Sequence, residues 1–194
     1  MLFVDSFSED TVRLVVVNLP LDGRVISASG DDAWARAAAE VAVESAVDAL
    51  KVRLAINPVT VDRDKAGREM RPRATGEVRV HAIGELWCSR ICERCGEEVR
   101  LHLNADEQLQ FLPEGSVDPE REEIEEEELD VGWYDGGELS LESVVAEMFT
   151  LALPVKVTCA DEVACQVRTM ALLEANRLAA GVGHPAFAAL KNLC

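Results

Sequence analysis

The chain has 194 residues, of which 48% are hydrophobic, and its formal net charge is −17. This length and apolar content suffice for one globular domain with a buried core, and the apolar runs are shorter than the ~20 residues that a membrane-spanning helix needs. The acidic excess argues against a protein that binds nucleic acid by bulk electrostatic attraction.

The N-terminus and the cysteine content indicate a compartment. The first ten residues carry acidic rather than basic side chains, so the sequence predicts no secretory signal and a cytoplasmic protein. Six cysteines in 194 residues are too few for a disulfide scaffold. We therefore expect reduced thiols that are available as metal ligands.

The first part of the chain predicts strands around one helix. Residues 11–19 are dense in Val and Leu and predict a buried strand, with which residues 24–29 can pair. Charged side chains then recur every four residues, which predicts a helix over 32–50 with an aspartate as its N-cap. Alternation of apolar and polar residues over 52–56 predicts a half-buried strand.

A basic segment follows in this acidic chain. Residues 62–75 are polar and contain Gly67 and Pro72, which predicts a mobile loop. Residues 63–79 hold six bases and three acids. We expect this segment and two arginines near the first cysteines to contact phosphate, although solubility alone is an alternative. The candidate RNA contacts are Arg63, Lys65, Arg68, Arg71, Arg73, Arg79, Arg90 and Arg94.

Paired thiols are the strongest chemical signal in the chain. Alternating apolar residues over 78–82 and 99–103 predict a β-hairpin with Cys92 and Cys95 at its tip. Two residues separate these thiols and Gly96 follows, a spacing that suits one tetrahedral ion. Cys159 and Cys165 offer two further thiols. The sequence thus predicts a structural zinc site at all four residues, with separate buried cysteines as the alternative.

Cys88 extends the first pair to the pattern C-x3-C-x2-C, the spacing by which radical-SAM enzymes hold an iron–sulfur cluster. The context disagrees, because only ~100 residues follow the pattern and a full barrel takes ~250. Arg94 also stands where an aromatic residue is usual. Zinc is therefore favoured over iron, and the role of Cys88 as a ligand stays open.

No catalytic constellation is visible. His81, His102 and His184 are scattered, the first two on the strands of the predicted hairpin. The chain has neither a phosphate-binding glycine loop nor the H-E-x-x-H pattern. We therefore predict that the protein is not an enzyme and has no small-molecule substrate.

An acidic segment precedes the last helices. Residues 114–138 hold twelve acids against one base, so we expect a disordered or loosely held loop over 114–137. This polyanion can contact a basic partner such as a ribosomal protein, or it is a solvated spacer. The candidate partner-binding residues are Glu122, Glu123, Glu125, Glu126, Glu127 and Glu128. Helices are predicted over 140–153, capped by Ser140 and stopped by Pro154, and over 167–180.

The order of these landmarks resembles a known family. The array CERCGEEV (92–99), the acidic spacer, VVAEMFTLALP (144–154), a following cysteine and HPAFAALKNL (184–193) looks like the bacterial and plastid YceD proteins, the large ribosomal RNA subunit accumulation family. The resemblance covers roughly residue 82 to the end. The matching positions are Cys92, Arg94, Cys95, Glu147, Pro154 and either Cys159 or Cys165. Cys88, Glu138 and His184 depart from the family's pattern.

The resemblance implies a small cytoplasmic protein, not an enzyme, that is needed for accumulation of large-subunit ribosomal RNA and is suspected of binding metal and nucleic acid. We expect one α+β domain over 1–194, with room for a small lobe around the metal. The predicted fold is a mainly antiparallel sheet with a cysteine-tipped hairpin and two or three packed helices. The predicted function is ribosome biogenesis by contact with the RNA or a precursor particle. The alternative is an adaptor whose acidic loop binds a basic ribosomal protein or assembly factor.

Overall fold

The structure is a computed structural model that describes residues 12–63, 67, 69–116 and 131–179. The chain forms two compact units. The sheet unit comprises Met1–Ser89 and Leu101–Leu153, and the cysteine unit comprises Arg90–Arg100 and Pro154–Cys194. The predicted metal ligands therefore all belong to the cysteine unit.

The prediction of an α+β fold with a mainly antiparallel sheet is confirmed. The helices are α1 (Ala33–Val43), α2 (Leu141–Ala152) and α3 (Glu162–Ala179). The strands are β1 (Arg13–Val15), β2 (Arg24–Ser29), β3 (Val47–Arg63), β4 (Glu69–Ile91), β5 (Glu98–Pro113), β6 (Val131–Tyr134) and β7 (Glu138–Ser140). A 3-10 turn over Val16–Asn18 follows β1.

A five-stranded sheet has the order β2-β3-β4-β5-β6. The β2–β3 and β3–β4 pairs are antiparallel, and β6 runs parallel to the end of β5. The prediction that residues 24–29 pair with the first strand is wrong, because β1 pairs with β7 and β2 pairs with β3. The long alternating strand β3 offers β2 six consecutive partners, which three-residue β1 cannot do.

Two predicted boundaries are corrected. The first helix ends at Val43 rather than near Leu50, because Glu44 takes a left-handed conformation with φ 50° and the chain enters β3 at Val47. Asp48 continued the charge spacing of the helix but lies on the exposed side of a strand. The last helix begins at Glu162 rather than at residue 167.

Most of the predicted basic loop is strand. Thr60 pairs with Ala74 and Val61 with Arg73, so residues 69–75 belong to β4. The register shifts on both sides of Thr60–Val61, and such irregular pairing tolerates a proline that cannot donate a ladder hydrogen bond. Residues 64–66 and 68 lie outside the described part of the chain.

The C-terminal part of the segment predicted as an acidic loop is a strand. Residues 131–134 form β6, whose Trp133 and Tyr134 pair with Leu112 and Pro113 of β5. These two aromatic residues supply the apolar surface that the acidic residues before them lack. Residues 117–130 and 180–194, with the glutamate candidates and His184, lie outside the described residues.

The core lies between one face of the sheet and the helices α1 and α2. Leu54, Ile56, Val80 and Leu86 are fully buried there. Ser140 caps α2 as predicted, because its Oγ accepts the Ser143 N–H at 3.2 Å. Within the described residues, no helix has the length and hydropathy to cross a membrane.

Gly84 permits the close approach of α2 to β4. A Cβ atom at this position would lie 2.8 Å from Met148 Cε, 2.9 Å from Phe149 Cζ and 3.2 Å from the Lys51 carbonyl oxygen. Met148 and Phe149 are both fully buried. The absence of a side chain at residue 84 is therefore a packing requirement of the helix above it.

Candidate metal centre

Cys92 and Cys95 lie in the turn between β4 and β5, as predicted from the hairpin pattern. The Cys92 N–H donates to the Glu97 carbonyl at 2.7 Å, and the Gly96 N–H donates to the Cys92 carbonyl at 2.9 Å. Gly96 has φ +73°, a conformation that costs other residues energy. The turn thus depends on glycine at the position after the second thiol.

The second pair of cysteines is positioned by the start of α3. Cys159 precedes the helix, and Cys165 lies in its first turn. Asp161 caps this turn, since its Oδ1 accepts the Ala164 N–H at 2.9 Å and its carbonyl accepts the Cys165 N–H at 3.0 Å. The segment between the two thiols is therefore an ordered cap followed by the first turn of α3.

Two hydrogen bonds join the thiol-bearing segments. The Glu93 N–H donates to the Val157 carbonyl at 3.0 Å, and the Val157 N–H donates to Glu93 Oε1 at 3.0 Å. Val157 is buried. This reciprocal pair holds the turn of the hairpin against the chain that leads to Cys159.

The four sulfur atoms lie within 4.8 Å of one another. Cys92 Sγ is 3.7 Å from Cys165 Sγ, and Cys95 Sγ is 3.5 Å from Cys159 Sγ. A tetrahedral ion with metal–sulfur bonds of about 2.3 Å places its ligands roughly 3.8 Å apart. The cluster therefore has the ligand type, number and spacing of a closed structural metal site, and it could hold a metal ion.

The remaining thiol and imidazole candidates lie elsewhere. Cys88 is fully buried in the core cluster of the sheet unit and is not a member of the four-sulfur group. His81 and His102 lie on β4 and β5, as predicted. The structure therefore brings together the four thiols that the sequence singled out and none of these three side chains.

The four thiols differ in acidity. The pKa of Cys92 is lowered to about 6, mainly by a hydrogen bond from the backbone N–H of Cys95. Hydrogen bonding with Cys95 is the main cause that raises the pKa of Cys159 to about 12, and burial raises the pKa of Cys165. A cation that binds at neutral pH must therefore displace protons from Cys159 and Cys165, so its affinity rises with pH.

Arg168 is a functional candidate that the sequence did not reveal. Its Nη2 donates to Cys159 Sγ at 3.3 Å, and this guanidinium is the main cause that lowers the pKa of Cys95. Its Nε is buried and has no hydrogen-bond partner among the described residues. The sequence spacing could have indicated this role. Arg168 follows Cys165 by three residues, so the two side chains lie on the same face of one helix. If the site holds a divalent ion, a guanidinium here would offset part of the −2 charge of four thiolates around it.

Arg168→Gln is expected to weaken zinc binding roughly tenfold or more, because outer-shell hydrogen bonds to metal ligands typically carry such effects. Competition with a chromophoric chelator measures the change. Arg177→Gln on the same helix is the matched control, since Arg177 is exposed and pairs only with Glu174 at 3.9 Å within the described residues. Equal zinc affinity in the Arg168 and Arg177 variants would show that Arg168 has no part in the site.

The candidate RNA contacts are distributed over both units. Arg63, Arg71 and Arg73 are exposed on β3 and β4, and Arg79 donates to Glu77 at 3.2 Å. Arg90 and Arg94 belong to the cysteine unit, where the Arg94 side chain is exposed. Lys65 and Arg68 lie outside the described residues, and contact with RNA stays a prediction for the whole set.

Comparisons with known proteins confirm the resemblance seen in the sequence. The model of the family described as large ribosomal RNA subunit accumulation protein YceD matches residues 80–194, which include all four clustered cysteines. Searches of curated proteins and of solved structures found no match. The match covers more than half of the chain and carries its most specific landmarks. The chain therefore belongs to the YceD family of large ribosomal RNA subunit accumulation proteins.

Proposed function

We propose that this protein is a non-enzymatic ribosome-biogenesis factor of the cytoplasm that binds large-subunit ribosomal RNA or a precursor particle. The observation that carries the proposal is the family match over residues 80–194, whose name implies a role in large-subunit ribosomal RNA accumulation. Binding rather than chemistry is favoured because the sequence shows no catalytic constellation. The RNA then accumulates because the bound protein protects it or promotes correct assembly of the particle that contains it.

A structural zinc ion is part of this proposal. Zinc forms closed tetrahedral sites with four thiolates, and the Sγ separations of 3.5 and 3.7 Å suit it. The buried residues of the cysteine unit are three of these cysteines and Val157, within the described part of the chain. Such a small apolar core favours a unit that depends on its metal for stability.

The metal would give the turn of the hairpin a fixed shape for contact with RNA. Arg94 stands between the two cysteines of that turn, so its position depends directly on the metal site. Arginine is well suited to phosphate because its planar guanidinium donates two parallel hydrogen bonds. We propose that Arg90 and Arg94 contact phosphate from the cysteine unit, and that the exposed arginines of β3 and β4 are separate candidates in the sheet unit.

Deletion of the gene in its own host tests the function. The expected result is a lower ratio of large-subunit to small-subunit ribosomal RNA and fewer large subunits on sucrose gradients. The full chain should restore both, and it should sediment with precursors of the large subunit. A normal RNA ratio and normal subunit profile in the deletion strain would contradict the proposed function.

A second candidate function is favoured by the charge of residues 114–138, twelve acids against one base. In this case the segment binds a basic ribosomal protein or assembly factor, and the protein reaches the particle without touching RNA. A chain that lacks residues 119–130 separates the two. Loss of particle association without loss of binding to naked RNA supports the adaptor, whereas retained association supports direct contact with RNA.

A further inference from the structure

Helices α1 and α2 cover the face of the five-stranded sheet that carries Leu54 and Leu86. Among the described residues of the sheet unit, the opposite face exposes neighbouring side chains of the same strands to solvent. Among these, Trp87 is 38% exposed and Ile83 is 37% exposed. Trp87 is thus a large aromatic side chain on an interior strand of the sheet that is partly accessible to solvent.

Trp87 is held in place by a second ring. The indole of Trp87 on β4 and the imidazole of His102 on β5 stack with centroids 4.3 Å apart and an interplanar angle of 11°. A ring that is fixed in this way loses little conformational entropy when another ring stacks beside it. The pair is therefore a preformed platform for a flat aromatic ligand.

A groove lies beside this platform. It has a volume of about 420 Å³, and its rim carries Lys51, Arg53, Ile83, Glu85, Asn104 and Asp106. A smaller depression of about 170 Å³ is lined by Trp87 and shares Lys51 and Glu85 with the groove. The two depressions together extend across β3, β4 and β5. Because neighbouring strands lie about 4.8 Å apart, this surface is long enough for more than one nucleotide.

The whole chain is strongly acidic, but the acidic and basic side chains that line this groove are balanced. A polyanion would therefore be repelled less here than by the chain as a whole. Glu85 is paired with Lys51 at 2.5 Å, and Asp106 is paired with His81 at 2.6 Å. Arg53 has no ion-pair partner among the residues that the structure describes. Lys51 thus offsets the charge of Glu85, Asp106 has a hydrogen-bond partner in His81, and Arg53 remains available to phosphate.

We propose that the open sheet face binds an unpaired segment of RNA, with one base stacked on Trp87 and a phosphate contacted by Arg53. This inference rests on the proposed function and names the form of RNA that the protein takes. Sheet faces with exposed aromatic rings bind single-stranded RNA by stacking, and duplex RNA cannot offer its bases in this way. Of the candidate contacts deduced from the sequence, Arg79 lies on this face of β4, whereas Lys51, Arg53 and Trp87 were not among them.

The test measures binding of a fluorescein-labelled, mixed-sequence 12-nucleotide RNA to the full chain by fluorescence anisotropy. Trp87→Leu is expected to weaken binding about 5- to 100-fold, the range of one lost base stack, and Trp87→Phe should recover part of it. Trp133→Leu is the control, because Trp133 is 47% exposed on β6 and lies outside the groove. Arg53→Gln should weaken binding. It should also reduce the slope of log affinity against log salt concentration by about one, the value for one lost phosphate contact.

Three results would overturn the inference. The first is wild-type binding of the 12-nucleotide RNA by a folded Trp87→Leu chain. The second is the absence of RNA binding by the wild-type chain. In that case, a loss of association with precursor particles by the Trp87→Leu chain would indicate that Trp87 contacts a protein rather than RNA. The third is a Trp87→Leu gene that fully restores ribosomal RNA in the deletion strain. This last result does not contradict the proposed function. Only a normal ribosomal RNA ratio and subunit profile in the deletion strain would contradict it.

Discussion

Replacement of Cys92 by serine is expected to abolish stoichiometric zinc binding and to unfold the cysteine unit, while the sheet unit stays folded. A structural zinc ion contributes on the order of 10 kcal/mol or more to the folding of a small metal-dependent unit. Cys92, Cys95 and Cys165 form the buried cluster of this unit with Val99 and Cys159 packed against it, so little else can compensate. The effect is the largest that we expect from a single substitution in this chain.

Elemental analysis and hydrogen exchange measure this result. Zinc per chain should fall from about one to near zero, and amide exchange should rise over residues 90–100 and 154–179 but not over β3. Cys88→Ala is the control, because Cys88 is a buried thiol of the sheet unit outside the four-sulfur group. Unchanged exchange in a zinc-free Cys92→Ser protein would show that the unit folds without metal.

Gly84→Ala is expected to lower the free energy of unfolding of the sheet unit by about 2–3 kcal/mol, the cost of overpacking a close-packed core. The added methyl group would meet Met148 Cε at 2.8 Å and Phe149 Cζ at 2.9 Å, and the Lys51 backbone oxygen at 3.2 Å cannot move aside easily. Chemical denaturation of the full chain, followed by Trp fluorescence, measures the change.

A double mutant shows whether the cause is this contact. Phe149→Leu alone should also destabilise the unit, because Phe149 is fully buried. Combined with Gly84→Ala it should cost less than the sum of the two single changes, since the smaller side chain leaves room for the methyl group. Strictly additive effects would mean that Gly84 is required for another reason.

The sequence predicted the elements whose signals are local. The thiols of Cys92 and Cys95 lie in a turn because alternating strands flank them, and Ser140 caps α2 because its hydroxyl precedes an apolar helical pattern. The grouping of four sulfurs was also predictable, since one tetrahedral site requires four ligands and the chain offers two pairs. Arg168 was missed because a single arginine carries no signal until its helix is placed beside Cys159.

Properties that depend on distant segments were not predictable. The charge spacing that indicated a helix to residue 50 continued by coincidence beyond Glu44, where only the backbone conformation ends the helix. The partners of β1 and β2 depend on which strands complete the sheet, and neighbouring segments did not pair. The platform of Trp87 and His102 depends on two neighbouring strands that bring the rings together, so composition alone gave no sign of it.

The parallel pairing of β6 with the end of β5 has a consequence for the acidic residues between them. Gln110 pairs with Val131 and Pro113 with Tyr134, so the last residue of β5 and the first residue of β6 lie at opposite ends of the paired stretch. Both ends of the connection are thus anchored at one margin of the sheet. Each doubling of such a connection costs only about 0.6 kcal/mol in closure entropy. The length of this connection can therefore differ while β5 and β6 keep the same pairing.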